Sequence, residues 1–441
     1  EATSVAKTAI NMIMRSSSND NTEAFAHAMD ALLKCPEFPI KKAKELAIKF
    51  QQKFSDENPL EPSNSNETKA DNNTKVGLIS NAFFRNKDSL IFKSWFPSNP
   101  SKNVSLLGYQ QSVATDTVTT NIIQACEHWR EIYNTDPFTL DITMKADELD
   151  ILLDLSNTER NPRLEIMGTN SSKYRVGSFC LSEPGFAPGI SHILCDDILI
   201  TASKDVLLDH QERILINGTL FAREPYFALS NSQPLPLDHN GYVTFGGVID
   251  LIKLSPDCAQ LWSQILHEIP NSRLFLCGSE QANHQIKEQV CEYFAHSGLT
   301  NRLMFPEASS IDTEPPVELV EASIPNSHWG EIDIFLDTTP FNGTNELCEA
   351  LWTGAPVISL KSNQRSGLFG ASILTAAKRL NWIASTPEQY VKTAVKLARD
   401  PDHLRKERIR LQENMANTAL FDSKALNNEL IKSFRELAQK N

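Results

Sequence analysis

The sequence predicts a parallel α/β protein of two doubly wound domains behind a helical N-terminal segment. Three observations carry this. From Lys75 to about Phe227, and again from Tyr242 to about residue 400, short apolar runs that read as strands alternate with amphipathic runs that read as helices. A breaker-rich stretch, SNSQPLPLDHNG at Ser230–Gly241, divides the two series and reads as a hinge, with a ligand cleft expected between the domains. The run DIFLDTTPFNGTNELCEALWTGAPVISL, Asp333–Leu360, reads in one piece as strand, loop, helix, strand.

The elements follow in order. Residues 1–54 read as an N-terminal helical segment, with stripes at Ala6, Ile10, Ile13 and Met14, at Phe25, Ala28, Met29 and Leu32, and at Ala43, Leu46 and Phe50. Residues 55–74 are polar, carry prolines and read as a linker. Residues 75–229 form the first domain. VGLIS, LDILLDLS (149–156), YRVGSFCL (174–181) and ILCDDILIT (193–201) read as its strands, and Asn121–Tyr133 as a helix. Residues 242–400 form the second domain. Strands are expected at YVTFGG, 273–277 and 302–305, and helices at 257–267, 283–296 and near 368–379. Residues 401–441 read as helices anchored by Leu404, Ile409, Leu420, Leu430 and Leu437.

Bulk properties narrow the function. The 441 residues suffice for two or three domains, and 41% of them are apolar, a globular composition. A net charge of −13 argues against a general binder of nucleic acid or anionic membranes, while leaving room for a local basic phosphate pocket. No apolar run approaches the length of a membrane span. The chain opens on Glu1 rather than Met, so anything ahead of it would be invisible. The eight cysteines form no CxxC pair and read as reduced core residues of a cytoplasmic protein; the histidines show no ligand spacing, so no metal is expected.

The candidate chemistry lies in the second domain. A strand-to-helix loop in an open α/β sheet turns backbone N–H groups toward whatever lies beyond the strand ends, a natural seat for phosphate. Here that loop carries Gly343, Thr344 and Asn345. Lys253 follows the domain's first strand and can meet a phosphate as a point charge, although an isolated lysine there is more commonly a solvated one. Both follow strands of one expected sheet, so they could converge on one diphosphate. Glu349, in the helix after the loop, could accept from ribose hydroxyls or be an ordinary helix carboxylate. With neither GxxxxGK[ST] nor GxGxxG present, an ATPase or a nicotinamide dehydrogenase is disfavoured.

The run YVTFGGVIDLIKLSPDCAQLWSQILHEIPNSRLFL resembles the second catalytic domain of glycosyltransferase family 41, the O-GlcNAc transferase-like enzymes. DIFLDTTPFNGTNELCEALWTGAPVISL resembles the nucleotide loop of that family, and TALFDSKALNNELIKSF (418–434) its closing helix. DILLDLS and Pro184–Gly185 are similar to landmarks of its first domain. The resemblance implies the GT-B fold: two Rossmann-like domains facing a cleft, the first on the acceptor side, the second binding the nucleotide sugar. It implies metal-independent, inverting transfer of a sugar from a nucleotide donor, UDP by default, to a protein side chain, with no cofactor. By motif match Lys253 takes the place of the lysine that stabilises the β-phosphate, Thr344 and Asn345 fall in the diphosphate turn, and Glu349 takes the place of the ribose-binding acid. A bacterial surface protein is the acceptor the family's habits suggest.

One departure lies beside the phosphate lysine, where the family's Asn-x-x-x-Lys becomes Ile249-Asp250-Leu251-Ile252-Lys253; the others fall on the acceptor side. SNAFFRNKDSL (80–90) lacks the family's histidine, and DLSNTERN replaces its Gly-His-Thr run with Asn157 and Thr158, followed by Glu159 and Arg160. Two alternatives stay open at this point: a GT-B enzyme acting on a polysaccharide or other glycan, and a non-catalytic relative acting as a protein-binding module.

Overall fold

The computed structural model describes scattered helical positions between residues 8 and 49, and the stretches 73–86, 89–96, 103–156, 164–167, 171–180, 189–201, 210–224, 234–248, 254–277, 284–305, 328–362 and 365–440. Lys253, the 157–160 loop, Pro184–Gly185 and nearly all of the linker lie outside the described residues. Of the expected N-terminal stripes, Phe25, Ala28 and Leu46 are described; all three are helical, the first two buried and Leu46 half-buried. The chain divides into two compact units: Glu1–Leu220 with Lys424–Asn441, and Phe221–Ser423.

The first unit is built on seven parallel strands: β1 (Thr74–Ser80), β2 (Val104–Gln110), β3 (His128–Glu131), β4 (Leu149–Asp154), β5 (Ser172–Ser178), β6 (His192–Asp196) and β7 (Glu212–Ile216). Their order is β3-β2-β1-β4-β5-β6-β7. Sheets covered on both faces need near-continuous apolar strands. The two central ones comply, with Val76, Leu78 and Ile79 of β1 and Ile151, Leu152 and Leu153 of β4 buried.

Two sequence expectations fail here. Helix α1 spans Thr117–Ala125 rather than 121–133. It begins where the Asp116 carboxylate accepts from Val118 N and Thr119 N and the Thr119 hydroxyl accepts from Asp116 N, a reciprocal cap. It ends at Cys126, whose backbone is extended, and the chain enters β3. That strand, HWRE, lies at the sheet edge with no buried residue, so it lacks the alternation by which strands are read. Strand β6 stops at Asp196 rather than running to 201. The Asp196 Oδ1 accepts from Ile198 N and Leu199 N at 3.0 and 2.8 Å and turns the chain. Helix α2 (Pro137–Asp147) begins at the Asp136 cap with Pro137 in its first turn.

The C-terminal helix, Ser423–Ala438, belongs to this unit from Lys424 onward. Asn427 Nδ2 donates to Trp95 O at 2.6 Å, and Tyr174 OH to Lys440 O at 2.9 Å.

The second unit is a six-stranded parallel sheet: β8 (Thr244–Val248), β9 (Arg273–Cys277), β10 (Leu303–Met304), β11 (Ile334–Leu336), β12 (Val357–Leu360) and β13 (Ile383–Ala384). The order is β10-β9-β8-β11-β12-β13. Its helices are α3 (Pro256–Glu268), α4 (His284–Ala295), α5 (Asn345–Thr353), α6 (Phe369–Ala376), α7 (Pro387–Ala398) and α8 (Pro401–Asn414). Helix α3 starts at Ser255, whose Oγ accepts from Cys258 N, and buries Cys258, Ala259, Trp262, Ile265 and Leu266 along one face. Its last turn is closed by Arg302, whose guanidinium donates to Leu266 O and Ile269 O at 2.8 and 2.7 Å. Of the anchors expected after residue 400, Ile409 is the exception: it is 45% exposed, on the solvent side of α8.

The close approach of β8 to β9 depends on a glycine. Gly246 has φ +149°, and a Cβ there would lie 2.0 Å from Phe275 O. Gly246→Ala should therefore destabilise the protein by at least about 2 kcal/mol. Calorimetric unfolding checks it, and a wild-type midpoint would refute it.

Candidate functional site

In an open parallel sheet a ligand sits beyond the carboxyl ends of the strands, where the strand order reverses. In the second unit that reversal falls between β8 and β11. The chain leaving β11 forms the loop Asp337–Thr344 and enters α5 at Asn345. The expected Gly343, Thr344 and Asn345 thus lie at the switch point, and Glu349 lies one helical turn into α5, half-buried. Lys253 lies in the segment after β8, outside the described residues, but that segment ends at a described bond. Ser255, two residues on, donates its hydroxyl to Thr339 O at 2.9 Å. This bond joins the two stretches that the sequence singled out.

The loop is shaped by a residue that the sequence reading passed over. Asp337 is 1% exposed. Its Oδ1 accepts from Gly343 N at 2.9 Å and its Oδ2 from Ser359 Oγ at 2.6 Å. Its own carbonyl accepts from Tyr390 OH at 2.8 Å, and that hydroxyl accepts from Trp262 Nε1 at 2.9 Å. Asn342 adds a second tie: Nδ2 donates to Thr338 O and Oδ1 accepts from Gly370 N. The loop is held from α3, β12, α6 and α7 at once.

Its donors are partly occupied. Gly343 N serves Asp337, and Thr344 N donates to Glu346 Oε2 at 3.0 Å. A phosphate binding there has to draw Thr344 N away from Glu346, or use the next amides of α5. That helix has no side-chain cap at Thr344, so the Thr344 hydroxyl does not fill the seat. Asn345 is buried, and its carboxamide oxygen accepts from Arg223 Nη1 at 2.7 Å. Arg223 is itself 1% exposed and donates from Nε to Phe221 O. It sets a fixed positive charge behind the helix N-terminus, on the side that favours an anion. No sequence periodicity marks Arg223. Asp337 and Glu346 stand inside the quoted run and were legible only as loop and helix acids.

Burial pushes the Asp337 carboxyl up to about 7, with the Glu346 charge adding to the rise and the Ser359 and Gly343 hydrogen bonds opposing it. Among the described residues no group of three or more His, Cys, Asp or Glu could hold a metal ion, and no helix is long and apolar enough to cross a membrane. The seven described cysteines are free, five of them buried and Cys126 and Cys291 half-buried.

The Asp337 shift has a sign that can be checked. A carboxyl whose folded pKa is raised binds a proton on folding, so its stabilising contribution is complete below the unfolded value near 4 and is lost as pH climbs through about 7. Asp337→Asn keeps the neutral form at every pH. The wild type's advantage over this variant should shrink between pH 5 and 8, by at most about 1.4 kcal/mol per pH unit. Thermal unfolding of both across that range checks it, and a constant gap would refute it.

Comparisons with known proteins bear on this loop. Residues 228–430 match the family model for glycosyl transferase family 41. The chain is 24% identical over 369 residues to a Petunia hybrida protein described as a probable UDP-N-acetylglucosamine–peptide N-acetylglucosaminyltransferase, SPINDLY, covering 82% of this chain and 38% of that one. It is 28% identical over 184 residues to the UDP-N-acetylglucosamine–peptide N-acetylglucosaminyltransferase of Caenorhabditis elegans, covering 41% of this chain and 15% of that protein. The chain spans less than two fifths of the length of these curated relatives. Among solved structures, a variant of the Thermobaculum terrenum O-GlcNAc transferase superposes with a TM-score of 0.81 at 19% identity, over 99% of this chain and 82% of that one. A glycosyltransferase from Rickettsia africae gives 0.51 at 11%, over 84% and 100%. The two doubly wound parallel units make the fold GT-B, as the sequence resemblance implied. The segment 228–430, which holds the loop after β11, is thus similar to glycosyltransferase family 41, and the chain has the GT-B fold.

Proposed function

We propose that this chain carries a glycosyltransferase activity that moves a sugar from a nucleotide donor, most simply a UDP-sugar, to a protein side chain. The observation that carries the reading is the Ser255–Thr339 hydrogen bond. It tethers the segment that follows Lys253 to the loop of Gly343, Thr344 and Asn345, so a cation and helix-end amides can serve one diphosphate. The relatives described as peptide N-acetylglucosaminyltransferases support a protein acceptor.

In this reading Lys253 neutralises the diphosphate, and Thr344 Oγ and the first amides of α5 donate to it. Glu349 accepts from the ribose hydroxyls. Attack by the acceptor on the anomeric carbon, opposite the leaving diphosphate, inverts the configuration. Negative charge grows on the leaving group, which is where fixed donors act most strongly. The leaving group needs no metal if lysine and helix amides supply that charge.

Titration calorimetry with UDP and GDP, followed by intact-mass analysis of candidate acceptors incubated with UDP-GlcNAc, UDP-glucose or GDP-fucose, tests the proposal. UDP binding and a mass gain of one residue of the donor's sugar are expected. No nucleotide binding under any condition would overturn it. Lys253→Ala should lower turnover by about 100-fold or more at an unchanged unfolding temperature; transfer at the wild-type rate would remove Lys253 from the mechanism.

A further inference from the structure

The start of α5 already holds an anion of the protein's own. Glu346 is the second residue of that helix, and its Oε2 accepts from Thr344 N at 3.0 Å. The same oxygen overhangs Gly343, where an added Cβ would lie 3.2 Å from it. The half-buried carboxylate is thus folded back over the loop instead of extending into water. The first amides of a helix have no carbonyl partner within it and attract negative charge. Here Glu346 supplies that charge. Among the described residues no lysine, arginine or histidine forms an ion pair with it. Its charge is felt beneath the loop: burial raises the Asp337 carboxyl, and Glu346 adds to the rise.

Transfer changes the charge of the ligand at this helix end. The bond between the anomeric carbon and the terminal phosphate oxygen breaks, the bonding pair stays on that oxygen, and the acceptor's proton passes to solvent. A sugar nucleotide carries about two negative charges on its diphosphate, and the nucleoside diphosphate it leaves carries about three at neutral pH, because a terminal phosphate loses its second proton at about pH 6. A tethered carboxylate repels the second ligand more than the first, since the repulsion scales with the charge it faces. A helix end without that carboxylate does the reverse and favours the more highly charged product.

We propose that Glu346 is a specificity-determining residue: it makes the anion seat of α5 disfavour the more highly charged ligand, the spent nucleoside diphosphate, relative to the intact sugar nucleotide, and so promotes product release. Naming these two ligands rests on the transferase reading above; the charge selectivity of the seat does not.

Titration calorimetry on the full chain tests it, with wild type, Glu346→Gln and Glu346→Asp. Glutamine keeps an oxygen for Thr344 N and removes the charge, whereas aspartate keeps the charge. Whichever of UDP-GlcNAc, UDP-glucose and GDP-fucose binds the wild type is compared with its own nucleoside diphosphate. Glu346→Gln should bind the nucleoside diphosphate at least about fivefold more tightly than the wild type does, and gain less for the sugar nucleotide. Glu346→Asp should gain for neither, and the glutamine gain should shrink as salt rises. Equal gains for the two ligands, no gain, weaker binding, the same gain in Glu346→Asp or a gain indifferent to salt would each overturn the proposal. A Glu346→Gln chain that fails to fold would show that the carboxylate serves the helix and not ligand choice, and would overturn it too. Inorganic pyrophosphate, which lacks base and sugar, separates the two readings. Pyrophosphate binding that tightens in Glu346→Gln, with no nucleotide bound better than pyrophosphate, sinks the transferase reading alone. Nucleotide binding that Glu346→Gln leaves unchanged sinks the role of Glu346 alone. No binding of any of these ligands to any of the three proteins sinks both.

Discussion

The second unit depends on the burial of one carboxyl group at the end of β11. Asp337 cannot reach water, so its hydrogen bonds must come from the protein, and they dictate where the following loop goes. Gly343 N is drawn under the strand end to one oxygen, and Ser359 on the neighbouring β12 is fixed by the other. Two of the surrounding glycines are explained by the same crowding. A Cβ on Gly370 would meet Ser359 Oγ at 2.0 Å and Asp337 Oδ2 at 2.7 Å, and one on Gly343 would crowd Leu347. The Trp262–Tyr390 hydrogen bond then ties the Asp337 main chain to α3 and α7. The loop that would meet a diphosphate is therefore tied to its surroundings by buried hydrogen bonds.

The two units face the same topological problem. Each is a parallel sheet whose strand order reverses once, and each exposes that reversal at its carboxyl edge. In the second unit the polar groups of that edge pair among themselves, Asp337 with Gly343 and Ser359, Asn345 with Arg223. In the first unit Ser156 pairs with Asp154, and Ser80 with Leu155. An edge that is internally satisfied can receive a charged ligand only where the helix dipole and Arg223 favour it.

Much of the second unit was legible because its signals are local. The strand RLFLC was read at its observed bounds, and α3 and α4 were read within a residue or two, because Ser255-Pro256 marks a helix start and apolar spacing marks a buried face. The loop after β11 was legible for the same reason: glycine, threonine and asparagine between an apolar strand and an amphipathic helix. The first unit was read less well. The edge strand β3 buries nothing and has no period to detect, and β6 is ended by a side chain, Asp196, that turns the chain two residues later.

The sequence by itself determined the alternation of strand and helix, the loop at the second switch point and the family resemblance that its motifs carry. Those features are written in periods of two to four residues and in the backbone preferences of glycine, proline and the capping residues. Only the tertiary structure decided which polar groups at the two switch points are already taken. Arg223 meets Asn345 across 122 residues of sequence, and Asn427 of the C-terminal helix meets Trp95 across 332. Pairings of that kind are selected by burial and by the cost of leaving a donor or acceptor dry, and no local pattern encodes them.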